Sequence, residues 1–166
     1  MVDAPPVIEP LAAHHDRDGF ACGEPALDRY IKHQASQDMR RRLAQVFVAV
    51  GEQRRRILGY HSISAASVAR AELPLEQAKR LPHDPVPAAL LGRLAVDKAF
   101  QKRGLGEILL LDAVRRVLRA IAVHAVIVDA KNNEARSFYE SYGFRAFPNT
   151  PGRLFLPLAT FVRAGL

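Results

Sequence analysis

A nearly continuous apolar run at Ala88–Val96, followed closely by Gln101-Lys-Arg-Gly-Leu-Gly, constrains the fold more than any other feature of this sequence. The run predicts a strand that is covered on both faces. Apolar residues then recur at helical spacing and predict a helix over Gly104–Ala122. Its expected buried stripe is Leu110, Val114, Val117 and Ile121, with Asp112, Arg115, Arg116 and Arg119 on the opposite side. A second apolar run at His124–Ala130 completes a strand–helix–strand unit.

The remaining elements follow from periodicity and turn residues. Pro25 suits the first turn of a helix, because a proline lacks the N–H that is unpaired there anyway. Helices are predicted from Pro25 to about Arg42, at Leu75–Arg80 and at Asn133–Tyr142, and strands at Val7–Leu11, Gln45–Val50, Ile57–Val68, Phe144–Phe147 and Leu154–Phe161. This order predicts one α/β domain over residues 1–166, with a mixed central sheet of about six to seven strands and about four flanking helices.

Charge and composition limit the classes of function. The formal net charge of +7 favours a polyanionic partner such as nucleic acid, although a solubilising surface explains it equally well. Cys22 is the only cysteine, so no intramolecular disulfide is possible. Apolar runs are too short to span a membrane, and the first residues do not resemble a signal peptide. By elimination, we expect a cytoplasmic location.

The six histidines show no metal-ligand spacing with the cysteine or with acidic residues, so we expect no metal site. We expect the side chains of the neighbouring His14 and His15 to point apart.

The segment Gln101–Gly106 lies where a strand leads into a helix. The first N–H groups of a helix have no partner within it, and the helix dipole adds partial positive charge, so this end suits a phosphate. Gly104 and Gly106 allow close approach of the backbone, and Lys102 and Arg103 add cationic donors. A plain turn whose glycines serve only packing fits the same residues.

The second informative stretch is Asn132-Asn-Glu-Ala-Arg-Ser-Phe-Tyr-Glu-Ser-Tyr-Gly-Phe, directly after the buried strand. It places Tyr139 on a helix that must pack against the sheet. A tyrosine there buries its ring and aims its hydroxyl. Taken alone, the pattern also fits a core tyrosine without a chemical role.

The two stretches together resemble the GNAT acetyltransferase superfamily, through the strand Leu90–Val96, then Gln101-x-x-Gly-x-Gly, then Asn132-x-x-Ala-x-x-Phe-Tyr-x-x-x-Gly-Phe. The similarity is strongest over Ala88–Phe144. It implies the GNAT fold and an N-acetyltransferase that uses acetyl-CoA. Such a transfer needs a polarised carbonyl and an acid for the departing sulfur, but no covalent nucleophile.

The resemblance also implies roles for matching positions. The cofactor pyrophosphate is expected at the amides of Arg103, Gly104 and Gly106, within a turn that includes Lys102 and Leu105. The edge formed by Leu94, Ala95 and Val96 is expected to pair with the pantetheine arm and to polarise the thioester carbonyl. Asn132 is expected to contact the cofactor arm, and Tyr139 to protonate the CoA thiolate. The sequence identifies no general base.

The N-terminal half resembles one GNAT subgroup, the toxins of toxin–antitoxin pairs that acetylate aminoacyl-tRNA. The residues that carry this similarity are Gly19-Phe-Ala-Cys-Gly-Glu-Pro-Ala-Leu-Asp-Arg-Tyr-Ile, Gln34-Ala-Ser-Gln-Asp, Val46-Phe-Val-Ala-Val, Leu58-Gly-Tyr-His-Ser-Ile-Ser-Ala-Ala-Ser-Val and Leu91-Gly-Arg-Leu-Ala-Val-Asp. The resemblance implies translation arrest, a ribbon-helix-helix antitoxin and a homodimer. It leaves open which amino acid is acetylated and where the antitoxin and the second copy bind.

Basic residues agree with a tRNA substrate. Arg40, Arg41 and Arg42 are candidates for phosphate contacts, which give affinity and position rather than sequence choice. The alternative that Arg40–Arg42 only form a solvated helix end is supported equally well. For Arg54–Arg56, a solvated hairpin turn is the favoured interpretation. Arg93 either lines the acceptor pocket or pairs with an acidic residue.

Three other functions remain open at this point. The enzyme could acetylate a protein or small-molecule amine, although a basic surface repels cationic acceptors. A module on the same scaffold could bind CoA or RNA without catalysis, since fold does not fix function. A DNA-binding regulator is supported by charge alone, because no helix-turn-helix or zinc pattern is present.

Overall fold

The computed structural model describes residues 5–159, which divide into two compact units. The first contains the described residues up to Ser64 together with Gly92–Ala113. The second contains Ala65–Leu91 together with the described residues from Val114 onward. The expectation of a single domain over residues 1–166 stays a prediction.

The strands follow the predicted order. They are β1 (Val7–Pro10), β2 (Gln45–Val50), β3 (Ile57–Val68), β4 (Val86–Val96), β5 (Ala125–Asp129), β6 (Arg145–Phe147) and β7 (Thr150–Pro157). The α-helices are α1 (Pro25–Arg29), α2 (Ala35–Arg40), α3 (Leu75–Ala78), α4 (Leu105–Ala120) and α5 (Asn133–Ser141). A π-helical turn, Tyr30–Gln34, joins α1 to α2, and 3₁₀ turns occur at Arg70–Glu72 and Lys98–Phe100.

These strands form one sheet in the order β1-β2-β3-β4-β5-β7-β6. The pairs β1–β2, β2–β3, β5–β7 and β6–β7 are antiparallel, whereas β4 and β5 are parallel. If α1, the π-turn and α2 are counted as one helical run, the described residues contain four helices. The predicted mixed α/β architecture is therefore confirmed.

The core of the first unit lies between the helical run and one face of β2 and β3. Tyr60 is fully buried at its centre, with the Phe20 ring edge-on at 5.5 Å and the Tyr30 ring stacked at 6.3 Å between centroids. The Tyr60 hydroxyl donates to the carbonyl of Leu27 at 2.7 Å, which ties α1 to the sheet. Burial of the hydroxyl raises the pKa of Tyr60, so the group remains a donor.

The second unit has its own core, formed where β5 and β7 pair. Ile127 and Phe155 are fully buried, and the Phe147 ring packs on Phe155 at 5.2 Å. In this unit α5 begins at the side-chain cap of Asn132 and ends before Gly143, which has φ +94°. The predicted glycine stop is confirmed, since this backbone conformation favours glycine.

Several predicted boundaries are wrong. The first helical run ends at Arg40 rather than Arg42, because Arg42 adopts a left-handed conformation with φ +58°. Ile121 lies beyond the end of α4 and is 66% exposed, so it does not belong to the buried stripe. The last strand begins at Thr150, where it pairs with Phe147, and ends at Pro157. The predicted end of that strand, Thr160 and Phe161, lies outside the described residues.

Across residues 5–159, no helix combines the length and the apolar character needed to cross a bilayer.

Candidate active site

The end of β4 and the start of α4 are joined by a turn whose geometry is fixed by side chains. The buried carboxylate of Asp97 accepts from the amides of Ala99 at 2.9 Å and Ala21 at 3.2 Å. The side-chain amide of Gln101 donates to the carbonyls of Val96 at 2.9 Å and Cys22 at 2.8 Å. These bonds hold the turn rigidly against β4.

Within this turn, the backbone opens toward solvent at the position expected for a phosphate. Gly104 has φ +83°, and a Cβ added there meets no atom within 4 Å. Gln101 through Gly104 are exposed, and α4 begins at Leu105, so the unpaired first amides of the helix lie beside this space. Lys102 and Arg103 lie in the same turn as cationic donors. The residues present therefore fit the pyrophosphate of CoA.

The segment Leu94–Val96 lies between two packing clusters. Leu94 and Val96 pack with Leu105 and Leu109 of α4, whereas Ala95 faces the opposite side of the sheet and is buried with Tyr30. The pairing of β4 with β5 involves Ala88–Leu90, so Leu94–Val96 lies beyond the paired residues. An edge of this kind can accept an extended ligand as an added strand.

Arg93 precedes this segment on β4, and its guanidinium lies on the ring of Tyr30. The Cζ atom is 3.5 Å from the ring centroid. The Tyr30 hydroxyl donates to Asp38 Oδ2 at 2.9 Å, and the Gln34 amide donates to Asp38 Oδ1 at 2.9 Å. Burial and the bond to Asp38 raise the pKa of Tyr30 to about 12. The Gln34 bond, with smaller effects from Tyr30, Arg93 and Arg41, lowers the pKa of Asp38.

Arg40, Arg41 and Arg42 are exposed at the end of α2. The positive charge of Arg41 contributes to the lowered pKa of Asp38, as does that of Arg93. Arg41 and Arg93 therefore both lie near one carboxylate, that of Asp38. The sequence did not indicate that Tyr30 and Asp38 belong to this group, because they are distant from Arg93 along the chain.

The hairpin turn Arg54–Arg56 is more than a solvated loop. The Arg56 guanidinium lies over the ring of Phe100, with Cζ 4.8 Å from the centroid, and its Nη2 is 3.8 Å from Asp97 Oδ1. The hairpin contributes to a cavity of about 1340 Å³ that includes Arg103 of the glycine turn. Its cationic lining is Arg17, Lys32, Arg54, Arg55, Arg56 and Arg103, against the acidic Asp16, Asp18 and Glu52.

In the second unit, Tyr139 is buried on α5 with 8% of its surface exposed. Its ring packs on Phe138 and Phe144, both with centroids 5.3 Å away. Burial raises the pKa of Tyr139 to about 12, so the hydroxyl is a proton donor at neutral pH. Asn132 is exposed, and its side-chain oxygen accepts from the Ala135 amide at 2.8 Å as the cap of α5. That capping bond leaves the NH₂ group of Asn132 as the part able to contact a ligand.

The expectation that His14 and His15 point apart is wrong. Their ring centroids are 4.1 Å apart, and their Nε2 atoms lie 3.8 and 2.9 Å from Glu9 Oε1. The three residues have the composition of a metal site. However, the Ala12 amide donates to His15 Nδ1, so a neutral His15 carries its proton on Nε2 and donates it to Glu9. A metal-binding histidine normally donates with its second nitrogen instead, so this arrangement disfavours a metal.

Comparison with known proteins relates these features to a family. The family model described as an acetyltransferase (GNAT) domain matches residues 13–153. A relative from Mycobacterium tuberculosis named tRNA-acetylating toxin is 38% identical over 144 residues, which are 85% of this chain and 85% of the relative. A relative from Sinorhizobium fredii named probable toxin TacT is 30% identical over 166 residues, covering 93% of this chain and 92% of the relative.

Solved structures are also similar to this chain over nearly its whole length. AtaT complexed with acetyl-methionyl-tRNAfMet has a TM-score of 0.90 at 28% identity, covering 97% of this chain and 99% of that one. AtaTR bound with acetyl-CoA has a TM-score of 0.84 at 28% identity, covering 98% and 99%. A mutant AtaT bound to the C-terminus of the antitoxin AtaR has a TM-score of 0.82 at 25% identity, covering 97% and 98%.

Proposed function

The chain belongs to the GNAT acetyltransferase family, and we propose that it is a toxin that transfers the acetyl group of acetyl-CoA to the α-amino group of an aminoacyl-tRNA. The observation that carries the transferase assignment is the open turn at Gly104, ahead of the first amides of α4. The similarity to a named tRNA-acetylating toxin over 85% of the chain supports the choice of acceptor.

We assign cofactor binding to the turn and to the end of β4. The amides of Arg103, Gly104 and Gly106 bind the pyrophosphate, with the charges of Lys102 and Arg103 nearby and Leu105 anchoring the turn on β4. Leu94, Ala95 and Val96 offer their free edge to the pantetheine arm, and one backbone N–H polarises the thioester carbonyl. When bound, acetyl-CoA supplies the activated acetyl group.

We assign the acid role to Tyr139. Its hydroxyl keeps its proton at neutral pH because burial raises its pKa to about 12, and it gives that proton to the sulfur that leaves. The neutral acceptor amine attacks the carbonyl directly, so the chain needs no nucleophilic side chain. The C–N bond forms as the C–S bond breaks, and the proton that the nitrogen loses balances the one that Tyr139 gives to the sulfur. The NH₂ group of Asn132 is assigned to the cofactor arm.

The acceptor is a polyanion, and the charge of the chain supports this assignment. The net charge is +7, and the arginine triplet Arg40–Arg42 is exposed beside Asp38. The cationic cavity at the hairpin adds a second basic surface. Such contacts hold a nucleic acid through its phosphates. By contrast, a small cationic amine finds little attraction here.

The remaining assignments follow from this function. A substrate that is a charged tRNA places the enzyme in the cytoplasm. The antitoxin complex of AtaT supports an antitoxin partner for this chain, which we expect to be of the ribbon-helix-helix class. We also expect a homodimer. The consequence of the reaction is arrest of translation, because an acetylated α-amine cannot form a peptide bond.

The test is transfer of labelled acetyl from acetyl-CoA to bulk charged tRNA, with uncharged tRNA as the control. We expect label on charged tRNA alone, and mild alkali should release it as an N-acetyl amino acid. Binding of acetyl-CoA without label on either RNA would contradict the tRNA acceptor and favour a protein or small-molecule amine. Label on uncharged tRNA would contradict acetylation of the amino acid.

A further inference from the structure

We propose that Arg93 binds a backbone phosphate at the acceptor end of the charged tRNA, and that Tyr30 is the positioning residue that holds Arg93 for this contact. The inference rests on the proposed function, since it concerns how the same acceptor is oriented. It assigns a role to the π-helical turn, which cofactor binding leaves unexplained.

The Tyr30 ring covers one face of the Arg93 guanidinium. Its Cζ lies 3.5 Å from the centroid of the Tyr30 ring, the short distance of a cation–π stack. Within residues 5–159, Arg93 forms no hydrogen bond and no ion pair within 4.0 Å of a carboxylate. The planar edge with its N–H donors therefore remains available, and this edge matches two phosphate oxygens at once.

The stack is itself held in place. Asp38 accepts from the Tyr30 hydroxyl and the Gln34 amide, and its lowered pKa keeps it ionised. Its charge favours a cation above the ring, and each of its oxygens accepts one hydrogen bond, from Tyr30 or from Gln34. The side chain of Arg93 is thus attracted to this position, although among the described residues it forms no ion pair with Asp38.

The π-turn Tyr30–Gln34 explains why the ring is available at this point. A π-turn inserts an extra residue into a helix and changes which side chains face the sheet, and such turns are frequent at functional sites. Here it brings the Tyr30 ring against both the core residue Tyr60 and the guanidinium of Arg93. An uninterrupted helix would shift the register of Tyr30 relative to Asp38.

The position of Arg93 on β4 places its stack with Tyr30 next to the segment assigned to the thioester. Arg93 directly precedes Leu94–Val96, the edge assigned to the thioester, and one residue of a strand spans only about 3.3 Å. The acceptor amine that reaches the carbonyl belongs to an amino acid, and the carboxyl group of that amino acid is ester-linked to the terminal nucleoside of the tRNA. The nearest phosphate of that strand therefore passes close to the end of β4, where Arg93 offers its donors.

The experiment compares two acceptors that carry the same amino acid, charged tRNA and a 3′-aminoacyl adenosine that lacks phosphate. For Arg93→Ala we expect a KM for charged tRNA raised about tenfold or more, with kcat/KM for the adenosine ester and the affinity for acetyl-CoA changed by less than about twofold. Arg93→Lys should restore only part of the loss, because an ammonium lacks the stacked planar fork. Arg145→Ala is the matched control, since Arg145 also stacks on a ring, that of Phe155, but in the second unit.

Two substitutions test whether Tyr30 positions Arg93. Tyr30→Phe keeps the ring and should retain most of the tRNA affinity, whereas Tyr30→Leu should raise KM for charged tRNA as Arg93→Ala does. Because Tyr30 is buried, acetyl-CoA affinity reports whether each variant remains folded. The phosphate assignment is wrong if Arg93→Ala lowers kcat/KM equally for both acceptors, or if it lowers kcat/KM for neither.

A binding measurement separates this inference from the proposed function. The slope of log Kd for tRNA against log salt concentration reports the number of phosphate contacts. For Arg93→Ala we expect the magnitude of this slope to fall by about one, whether or not transfer occurs. If the wild-type enzyme fails to label charged tRNA but the slope changes as expected, the proposed reaction is wrong and the phosphate contact stands. If transfer occurs and the slope is unchanged, only the phosphate contact is wrong.

Discussion

Gly59 on β3 faces the carbonyl oxygen of Ala95 on β4 so closely that a Cβ at position 59 would lie 2.8 Å from that oxygen. The same Cβ would lie 2.8 Å from Leu109 Cδ1 of α4. The absence of a side chain therefore brings β3, the end of β4 and α4 together. The segment assigned to the thioester takes its position from this contact.

Gly59→Ala should destabilise the protein, because backbone at Ala95 cannot yield without displacing β4. We expect the free energy of unfolding to fall by about 1–3 kcal/mol, measured by urea denaturation. Gly51→Ala is the matched control, since a Cβ there meets nothing within 4 Å. Equal stability of the two variants would show that the contact is relieved elsewhere.

The charge at position 104 should control binding of acetyl-CoA. Gly104→Asp and Gly104→Asn introduce side chains of the same size, and both residues tolerate the left-handed conformation at φ +83° better than most. We expect the aspartate variant to bind acetyl-CoA roughly tenfold or more weakly than the asparagine variant, because its carboxylate repels the pyrophosphate. Calorimetric titration measures both. Identical affinities would refute the assignment of the pyrophosphate to this turn.

Tyr139→Phe should keep the affinity for acetyl-CoA and lose turnover by about 100-fold or more, the usual range for a general acid. Single-turnover transfer measures the loss. Burial raises the pKa of Tyr139 to about 12, so the wild-type rate should not fall through ionisation of this hydroxyl below about pH 10. A variant with unchanged turnover would contradict the acid role.

Stability should depend on pH through His124. Burial lowers the pKa of this imidazole, whose Nε2 lies 2.9 Å from the Gln77 amide. Below the ordinary pKa of about 6.5 the unfolded chain takes up a proton that the folded chain resists, so stability is lost as pH falls. We expect the stability of wild type relative to His124→Gln to decrease between about pH 7.5 and 5. The same pH dependence in both proteins would contradict this.

Much of the sheet could be predicted because its signals are local. The apolar runs of β4 and β5, the turn before α4 and the glycine stop after α5 are patterns within short stretches of sequence. The boundaries that failed depend on partners distant in sequence. Thr150 became a strand residue through pairing with Phe147, and Ile121 became exposed because α4 ends one residue before it.

The candidate site divides in the same way. Gly104 and Tyr139 were predicted from motifs, which encode backbone conformation and residue type at fixed spacing. The stack of Arg93 on Tyr30, the close approach of Gly59 to Ala95 and the grouping of His14 with His15 and Glu9 were not predicted. Each joins side chains from separate elements or depends on the path of a loop.

The alternation of strands and helices, the glycine turn before α4 and the resemblance to a family can all be read from the sequence alone, because they depend on neighbours along the chain. That Arg93 lies against an aromatic ring rather than a carboxylate depends on the packing of distant elements. The π-turn and the buried Tyr60 place Tyr30 against β4, and no local pattern specifies that packing.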